Sequence, residues 1–270
     1  MSECFRKVFI LNNEVLKCND FNSGLIYFGE SIYEVIRISG GVPIFLNDHL
    51  GRLFQTAELR KRKLWLDKKE IESKINQIIE LNNEKQGNIK LVFNYPAPGL
   101  STGNFLVYFI EHHYPTYEQE ETGVSTILYF AEREFPSAKI INQALRSVIF
   151  KKLIDTHAYE ALLVDNEGYI TEGSRSNVFF TKKDVIYTAS NGEVLSGIAR
   201  KYILEICENI GVKVNFEKVH SERISDYNGV FLSGTSPGVL PVSCINDVKF
   251  DPHCKTILKI RDSFRKVSGR

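Results

Sequence analysis

Lys139-Ile140-Ile141-Asn142, Glu160-Ala161-Leu162-Leu163-Val164-Asp165, Thr171-Glu172-Gly173-Ser174-Arg175-Ser176-Asn177 and Leu195-Ser196-Gly197-Ile198-Ala199-Arg200 fall within one stretch, 139–200, and their reading decides the rest. Lys139 follows Phe135-Pro136-Ser137-Ala138. After it Ile141, Leu145, Val148, Ile149 and Leu153 recur at three- and four-residue spacing, the pattern of an amphipathic helix with one buried face. Lys139 therefore stands where an irregular lead-in meets a helix. A lysine against apolar walls tends to lose its proton, and a neutral amine adds to an aldehyde. Most lysines are exposed, so taken alone a solvated lysine at a helix start is the commoner reading.

Residues 160–165 read as a strand, Asn166-Glu167-Gly168 as a tight turn and Tyr169-Ile170-Thr171 as the returning strand, which delivers Glu172 to its end. Gly173 to Asn177 are small or polar, and Val178-Phe179-Phe180 resumes an apolar strand. A carboxylate here pairs with a protonated ring nitrogen or simply caps a turn. Leu195 to Arg200 leads into Tyr202, Ile203, Ile206 and Ile210, a helical pattern stopped by Gly211. Free amides at such a start seat a phosphate. Ser196 is equally an ordinary N-cap.

Together these motifs resemble the class IV aminotransferases, the fold-type-IV pyridoxal-phosphate enzymes. That family includes branched-chain and D-amino-acid aminotransferases and 4-amino-4-deoxychorismate lyases. The resemblance rests on Lys139-Ile140-Ile141-Asn142, Tyr159-Glu160-Ala161, Thr171-Glu172-Gly173 with Ser176-Asn177-Val178-Phe179, and Ser196-Gly197-Ile198, in matching order over nearly the whole chain. It implies an α+β, two-lobed fold with a small N-terminal α/β lobe and a larger C-terminal lobe with a β-barrel-like core. It also implies pyridoxal 5'-phosphate as cofactor, Lys139 as the catalytic, Schiff-base lysine and Glu172 as partner of the pyridine nitrogen.

The chain has 270 residues, enough for one large or two modest domains, with 43 % hydrophobic and 25 % charged residues. Its 34 basic and 33 acidic side chains nearly balance, and no long basic run argues for nucleic acid or a polybasic membrane surface. A small molecule is the expected partner, by the resemblance an amino or keto acid. Cys4, Cys18, Cys207, Cys244 and Cys254 are odd in number and include no Cys-x-x-Cys, which points to neither a disulfide framework nor a zinc site. Without an apolar leader or a bilayer-length apolar run, the chain reads as cytoplasmic.

Towards the N-terminus, Phe5 to Leu11 and Val15-Leu16 form an expected hairpin turned at Asn12-Asn13, and Phe28 to Ile38 an expected strand carrying Tyr33, Val35 and Arg37 on one face. By resemblance that face meets substrate. Tyr33 matches a tyrosine of D-amino-acid aminotransferases and Arg37 an arginine of the branched-chain group, so the two hints name different substrates. Asn47 or Asp48 caps an expected helix burying Leu50, Leu53, Phe54 and Ala57. Within it the family's His-x-x-Arg-Leu pattern implies Arg52 as a phosphate ligand, a role its planar fork suits.

Asp67-Lys68-Lys69-Glu70 predicts a capping box before Ile71, Ile75, Ile78 and Ile79. Ile89 to Tyr95, Asn104 to Phe109 and Val124 to Phe130 predict three strands of an antiparallel run, with an irregular loop from Tyr95 to Gly103. Relatives often carry Arg-Gly there to hold the substrate carboxylate. This chain has Asn94-Tyr95-Pro96, so that clamp does not carry over. His112-His113 beside Glu118 to Glu121 lacks ligand spacing for a metal, and a solvated loop is expected. Val212 to Phe216, Val230 to Ser233 and Val239 to Val242 predict strands, and Pro252 to Lys266 a closing helix.

In Ser233-Gly234-Thr235-Ser236-Pro237 the resemblance places Thr235 and Ser236 on the phosphate, with the amides of Ile198 and Ala199, while Ser176 and Asn177 support the loop after Glu172. Ala199 departs from the threonine common in relatives, which implies weaker cofactor retention. The expected domains are 1–115 and 116–270, and the family further implies a homodimer. An aminotransferase is the first reading. The lyase is the alternative, on the absent Arg-Gly and on Leu240-Pro241-Val242; a non-catalytic binding relative is a third, opposed by Lys139 and Glu172.

Overall fold

A computed structural model describes residues 3–96, 103–112 and 114–269. Most of the expected irregular loop, 97–102, and His113 of the histidine pair lie outside the described residues. The chain forms two compact units: Met1–His113 with Ala138–Gln143, and Tyr114–Ser137 with Ala144–Arg270. No helix among the described residues is long and apolar enough to cross a membrane.

In the first unit β1 (Val8–Leu11) and β2 (Glu14–Lys17) pair across Asn12-Asn13, with Asn12 in the left-handed region that asparagine tolerates (φ 53). There follow α1 (Gly24–Tyr27), β3 (Glu30–Ser39), β4 (Val42–Pro43), α2 (Leu46–Leu59), α3 (Lys68–Asn82), β5 (Gln86–Tyr95) and β6 (Asn104–Ile110). The sheet order is β2-β1-β6-β5-β3-β4, all antiparallel. Both faces are covered. Ile32, Ile36, Leu91, Phe93, Phe105 and Val107 pack with Leu50, Leu53, Ala57, Ile71, Ile75 and Ile78 from the two helices. Tyr33, Val92, Leu106 and Tyr108 pack on the other side with Cys4, Phe9, Cys18 and Ile26. Two covered faces explain why β5 is buried along almost its whole length rather than at alternate residues. Each such fully buried isoleucine or phenylalanine contributes roughly 1.5–3 kcal/mol.

The capping box of α3 forms in both directions between Asp67 and Glu70. The start of α2 differs from expectation: Phe45, left-handed at φ 55, is the N-cap with no side-chain cap, and Asn47 and Asp48 fall inside the first turn. Phe54 is only partly buried, whereas His49 and Arg52 are buried. Cys4 and Cys18 form a disulfide that cysteine spacing did not reveal, because the hairpin, not the sequence, brings them together, with Cα atoms 5.5 Å apart.

The second unit contains α4 (Tyr117–Thr122), β7 (Val124–Phe130), α5 (Gln143–Thr156), β8 (Glu160–Val164), β9 (Tyr169–Gly173), β10 (Asn177–Lys182), β11 (Val185–Thr188), α6 (Ile198–Asn209), β12 (Val214–Phe216), β13 (Val219–His220), β14 (Gly229–Gly234), β15 (Gly238–Ile245), β16 (Val248–Lys249) and α7 (Lys255–Ser268). Its strands run β12-β11-β10-β14-β15-β7-β8-β9-β13, with β16 on β15, in a sheet that curls into a half-barrel. β7 therefore does not continue the antiparallel run of β5 and β6. It joins the second sheet, parallel to both β8 and β15, because a strand's periodicity encodes its faces and not its partner. In α5 Ile149 and Leu153 are buried, while Val148, Phe150 and Ile154 are exposed and Ile141 precedes the helix.

Candidate active site

In the first unit Lys139 does not sit in a helical turn. Its segment runs along the edge of β3: Tyr33 N donates to Lys139 O at 3.1 Å, Ile141 N to Ser31 O at 2.9 Å, and Ile140 bridges Ile32. The Lys139 amide also donates to Thr56 Oγ1 at 3.4 Å. The half-buried side chain carries Nζ to 4.9 Å from the centroid of the Tyr33 ring, a cation–π distance. The fold thus brings Tyr33 and Lys139 together. Arg37 is half-buried on the Tyr33 face, but it pairs with Asn88 where Tyr33 pairs with Val92, about 13 Å further along β3.

Arg52 and His49, one turn apart on α2, reach Glu34. Arg52 donates from Nε to Glu34 Oε1 and from Nη2 to Oε2, both at 2.7 Å, and His49 Nδ1 lies 2.8 Å from Oε2. Burial alone would raise the Glu34 pKa, but Arg52 and then His49 outweigh it and hold the carboxyl at about 2. Burial pushes His49 down, while Glu34 raises Arg52 against the cost of its own burial. The His49 Nε2 atom is buried without a hydrogen-bond partner. Glu34 did not stand out as a site residue in the sequence. The available signal was a lone carboxylate inside an apolar strand, with a histidine and an arginine three apart on one helix face to receive it.

Asn94 is buried and donates to Phe28 O at 2.8 Å and Ser31 Oγ at 2.9 Å. It ties α1 to β3.

In the second unit Glu172 is 3 % exposed, near the end of β9. Arg133 Nε lies 3.1 Å from its Oε1 and Leu195 N donates to Oε2 at 3.3 Å. Arg133 also donates to Ser174 O at 2.7 Å, so it fixes the carboxylate and the loop after it. Sequence reading missed Arg133, which lies in an irregular segment. Burial pulls the guanidinium of Arg200 on α6 down to about 10, opposed by the charge of Glu172.

The loop is organised by Glu160, also missed. Its Oε1 accepts from Ser174 Oγ at 2.6 Å, and its Oε2 from Ser176 Oγ at 3.1 Å and Arg175 N at 3.2 Å. Asn177 Nδ2 donates to Leu195 O at 3.0 Å, which holds the approach to α6. That helix has Gly197 as N-cap, no side-chain cap and no acidic residue in its first turn. A Cβ on Gly197 would meet Asn177 Oδ1 at 2.0 Å, so any larger residue here would push the Asn177 side chain out of place. Thr235 and Ser236 form the turn between β14 and β15, both half-buried. Beside them Ser233, paired in register with Asn177, has a buried Oγ without a partner. Among the described residues no cluster of three or more His, Cys, Asp or Glu side chains could hold a metal ion.

A sequence model of the amino-transferase class IV family matches residues 31–245. The chain belongs to the class IV aminotransferases. It is 31 % identical over 229 residues to a D-alanine aminotransferase of Bacillus licheniformis, covering 81 % of this chain and 80 % of that one. A branched-chain-amino-acid aminotransferase of Salmonella typhimurium is 25 % identical, over 88 % of this chain and 84 % of its own. The solved structure of a branched-chain aminotransferase from Escherichia coli has the same fold, with a TM-score of 0.85 at 21 % identity, over 98 % of this chain and 95 % of that one. The mixed α+β fold with two sheets is that of the class IV enzymes.

Proposed function

We propose that this class IV enzyme is a pyridoxal-phosphate-dependent aminotransferase that moves an amino group between an amino acid, branched-chain or D-configured, and a keto acid. The observation that carries the reading is Lys139, whose half-buried amine lies against the Tyr33 ring on a backbone fixed at the edge of β3. The donor chemistry fits the cofactor. A buried carboxylate, Glu172, suits a pyridinium nitrogen. The uncapped first turn of α6, with the amides of Ile198 and Ala199, suits a phosphate, as do the orphaned Ser233 hydroxyl and the Thr235-Ser236 turn. By the family resemblance Arg52, kept charged by Glu34, is a phosphate ligand. Ser176 and Asn177 hold the loop and the α6 approach in place.

Pyridoxal phosphate, when bound, supplies an electron sink for the substrate Cα. With it bound, Lys139 Nζ would take the proton released at that carbon and return it at a second position. Glu172, its carboxylate held by Arg133, would keep the ring nitrogen protonated. By the same family reading the working unit is a homodimer, testable by sedimentation, and the cytoplasm is its proposed location.

The experiment is a half-reaction: cofactor-loaded protein mixed separately with L-amino acids, D-amino acids and aminodeoxychorismate, following visible absorbance and released products. An amino acid that bleaches the visible band and yields its keto acid supports the reading, and the reactive enantiomer decides between the Tyr33 and Arg37 hints. Release of pyruvate and 4-aminobenzoate alone would replace it with the lyase. A protein that never acquires the visible band would be a non-catalytic relative.

A further inference from the structure

On the Tyr33 face of the first sheet, Lys90 is 1 % exposed, the most deeply buried lysine of this unit. It stands on β5, in register with Val35 of β3 on one side and Tyr108 of β6 on the other. Lysine is almost never buried to this degree without a counter-charge, because an unpaired ammonium loses its hydration. The counter-charge comes from outside the sheet. Glu3, which precedes β1, sends its Oε1 to Lys90 Nζ at 2.5 Å, while its Oε2 accepts from Tyr27 and Tyr108 hydroxyls, each at 3.3 Å. One ammonium and two phenols around a single carboxylate make a complete receptor for that group.

The receptor and the reacting amine share the Tyr33 ring. Lys90 Nζ is 5.3 Å from the ring centroid on the β5 side of β3 and Lys139 Nζ is 4.9 Å from it on the other side, so the two nitrogens are at most about 10 Å apart. A small amino acid spans such a gap between its reacting nitrogen and a carboxylate bonded to Lys90. Asn94, further along β5, is committed to Phe28 O and Ser31 Oγ. Glu3 is the more accessible of the pair, its side chain 26 % exposed against 1 % for Lys90.

We propose that Lys90, with Tyr27 and Tyr108, is the carboxylate seat of the substrate site, and that Glu3 is its intramolecular occupant, displaced by the carboxylate of an amino or keto acid. Glu3 keeps the buried ammonium neutralised between turnovers. The substrate assignment rests on Lys139 being the reacting amine; carboxylate binding by Lys90 does not. A tethered carboxylate competes at a millimolar effective concentration, so removing its charge strengthens carboxylate binding by roughly threefold to tenfold.

The test uses cofactor-free protein titrated calorimetrically with butyrate, succinate and, as the uncharged control, butanediol. Glu3→Gln should bind butyrate or succinate several-fold more tightly than wild type, Lys90→Met should bind neither, and Lys90→Arg should restore binding, with butanediol silent throughout. Preference for succinate over butyrate marks a seat for a side-chain carboxylate, and equal binding marks one for the α-carboxylate. In the loaded enzyme Glu3→Gln should lower KM for the responsive amino acid without a matching change in kcat. A purely structural Glu3–Lys90 pair predicts the opposite: Glu3→Gln lowers the melting temperature and leaves carboxylate affinity and KM unmoved, which would overturn the proposal. If carboxylates bind as expected but no amino acid is converted, it is the transaminase reading that fails. If amino acids are converted with KM indifferent to Glu3 and Lys90, it is the seat that fails.

Discussion

Glu34 and Arg52 meet as a two-point ion pair, Arg52 Nε and Nη2 each 2.7 Å from a different carboxylate oxygen, with the Glu34 side chain wholly buried. The pair locks α2 to β3 and sets the plane of the guanidinium. Replacing Glu34 by Gln leaves that guanidinium buried without its counter-charge, a loss of roughly 3–5 kcal/mol by the general behaviour of half-removed buried pairs. A urea midpoint within error of wild type would show that the pair does not hold the unit together.

The same pair sets an acid limit. The Glu34 carboxyl is lowered from its ordinary 4.5 to about 2 in the folded chain, so its stabilisation is complete above 4.5 and is lost as pH falls towards 2. The full contribution is on the order of 3 kcal/mol. Unfolding by urea at about pH 5 and about pH 3 should show wild type losing more stability than Glu34→Gln, whose slope lacks this titration. Equal losses in the two proteins would contradict the assignment.

Lys139→Ala should abolish the visible band of cofactor-loaded protein while leaving far-ultraviolet dichroism unchanged. Activity should fall by at least roughly 10²–10⁴-fold, the scale of a lost proton-transfer group. In wild type, borohydride reduction followed by peptide mass mapping should mark the peptide that contains Lys139. A mark on any other lysine would move the reacting amine elsewhere.

Gly197 and Asn177 are in such close approach that a Cβ would fall 2.0 Å from Asn177 Oδ1. Gly197→Ala should therefore displace the Asn177 side chain and the start of α6, weakening cofactor affinity by about 1–3 kcal/mol, read by equilibrium dialysis. Adding Asn177→Gly should recover part of that loss, because it removes the atom in the way. A Gly197→Ala enzyme with wild-type affinity would detach this turn from the phosphate.

Glu172→Gln should leave the cofactor bound but slow turnover severely, since an amide is a weaker partner for a protonated ring nitrogen than a carboxylate. Arg133→Met should have a smaller effect in the same direction, because Leu195 N still donates to the carboxylate. Single-turnover rates for the two variants provide the measurement, and undiminished turnover in Glu172→Gln would remove its electronic role.

Much of this was legible in the one-dimensional pattern. The hairpin at Asn12-Asn13, the capping box from Asp67 to Glu70 and the strand pair that carries Glu172 are local, decided by turn chemistry and spacing within a few residues, and the chain forms them as read. The motif order from Lys139 to Arg200 likewise carried the family, which the match over residues 31–245 bears out. The strand at Val124–Phe130 was visible as a strand but not as a parallel neighbour of β8 and β15, since pairing partners are distant in sequence.

What the sequence by itself determined, then, is the strongly patterned elements, the family and the candidate chemical groups; the helix at Tyr117–Thr122, expected as a solvated loop, was not among them. Only the tertiary structure decided who neutralises whom: Glu34 with Arg52 and His49, Arg133 with Glu172, Glu160 with Ser174 and Ser176, Glu3 with Lys90, and Cys4 bonded to Cys18. The reason is physical. Periodicity and capping act over one or two turns of chain, whereas a buried charge takes whichever opposite charge the packing brings within hydrogen-bond reach, however far apart the two lie in sequence.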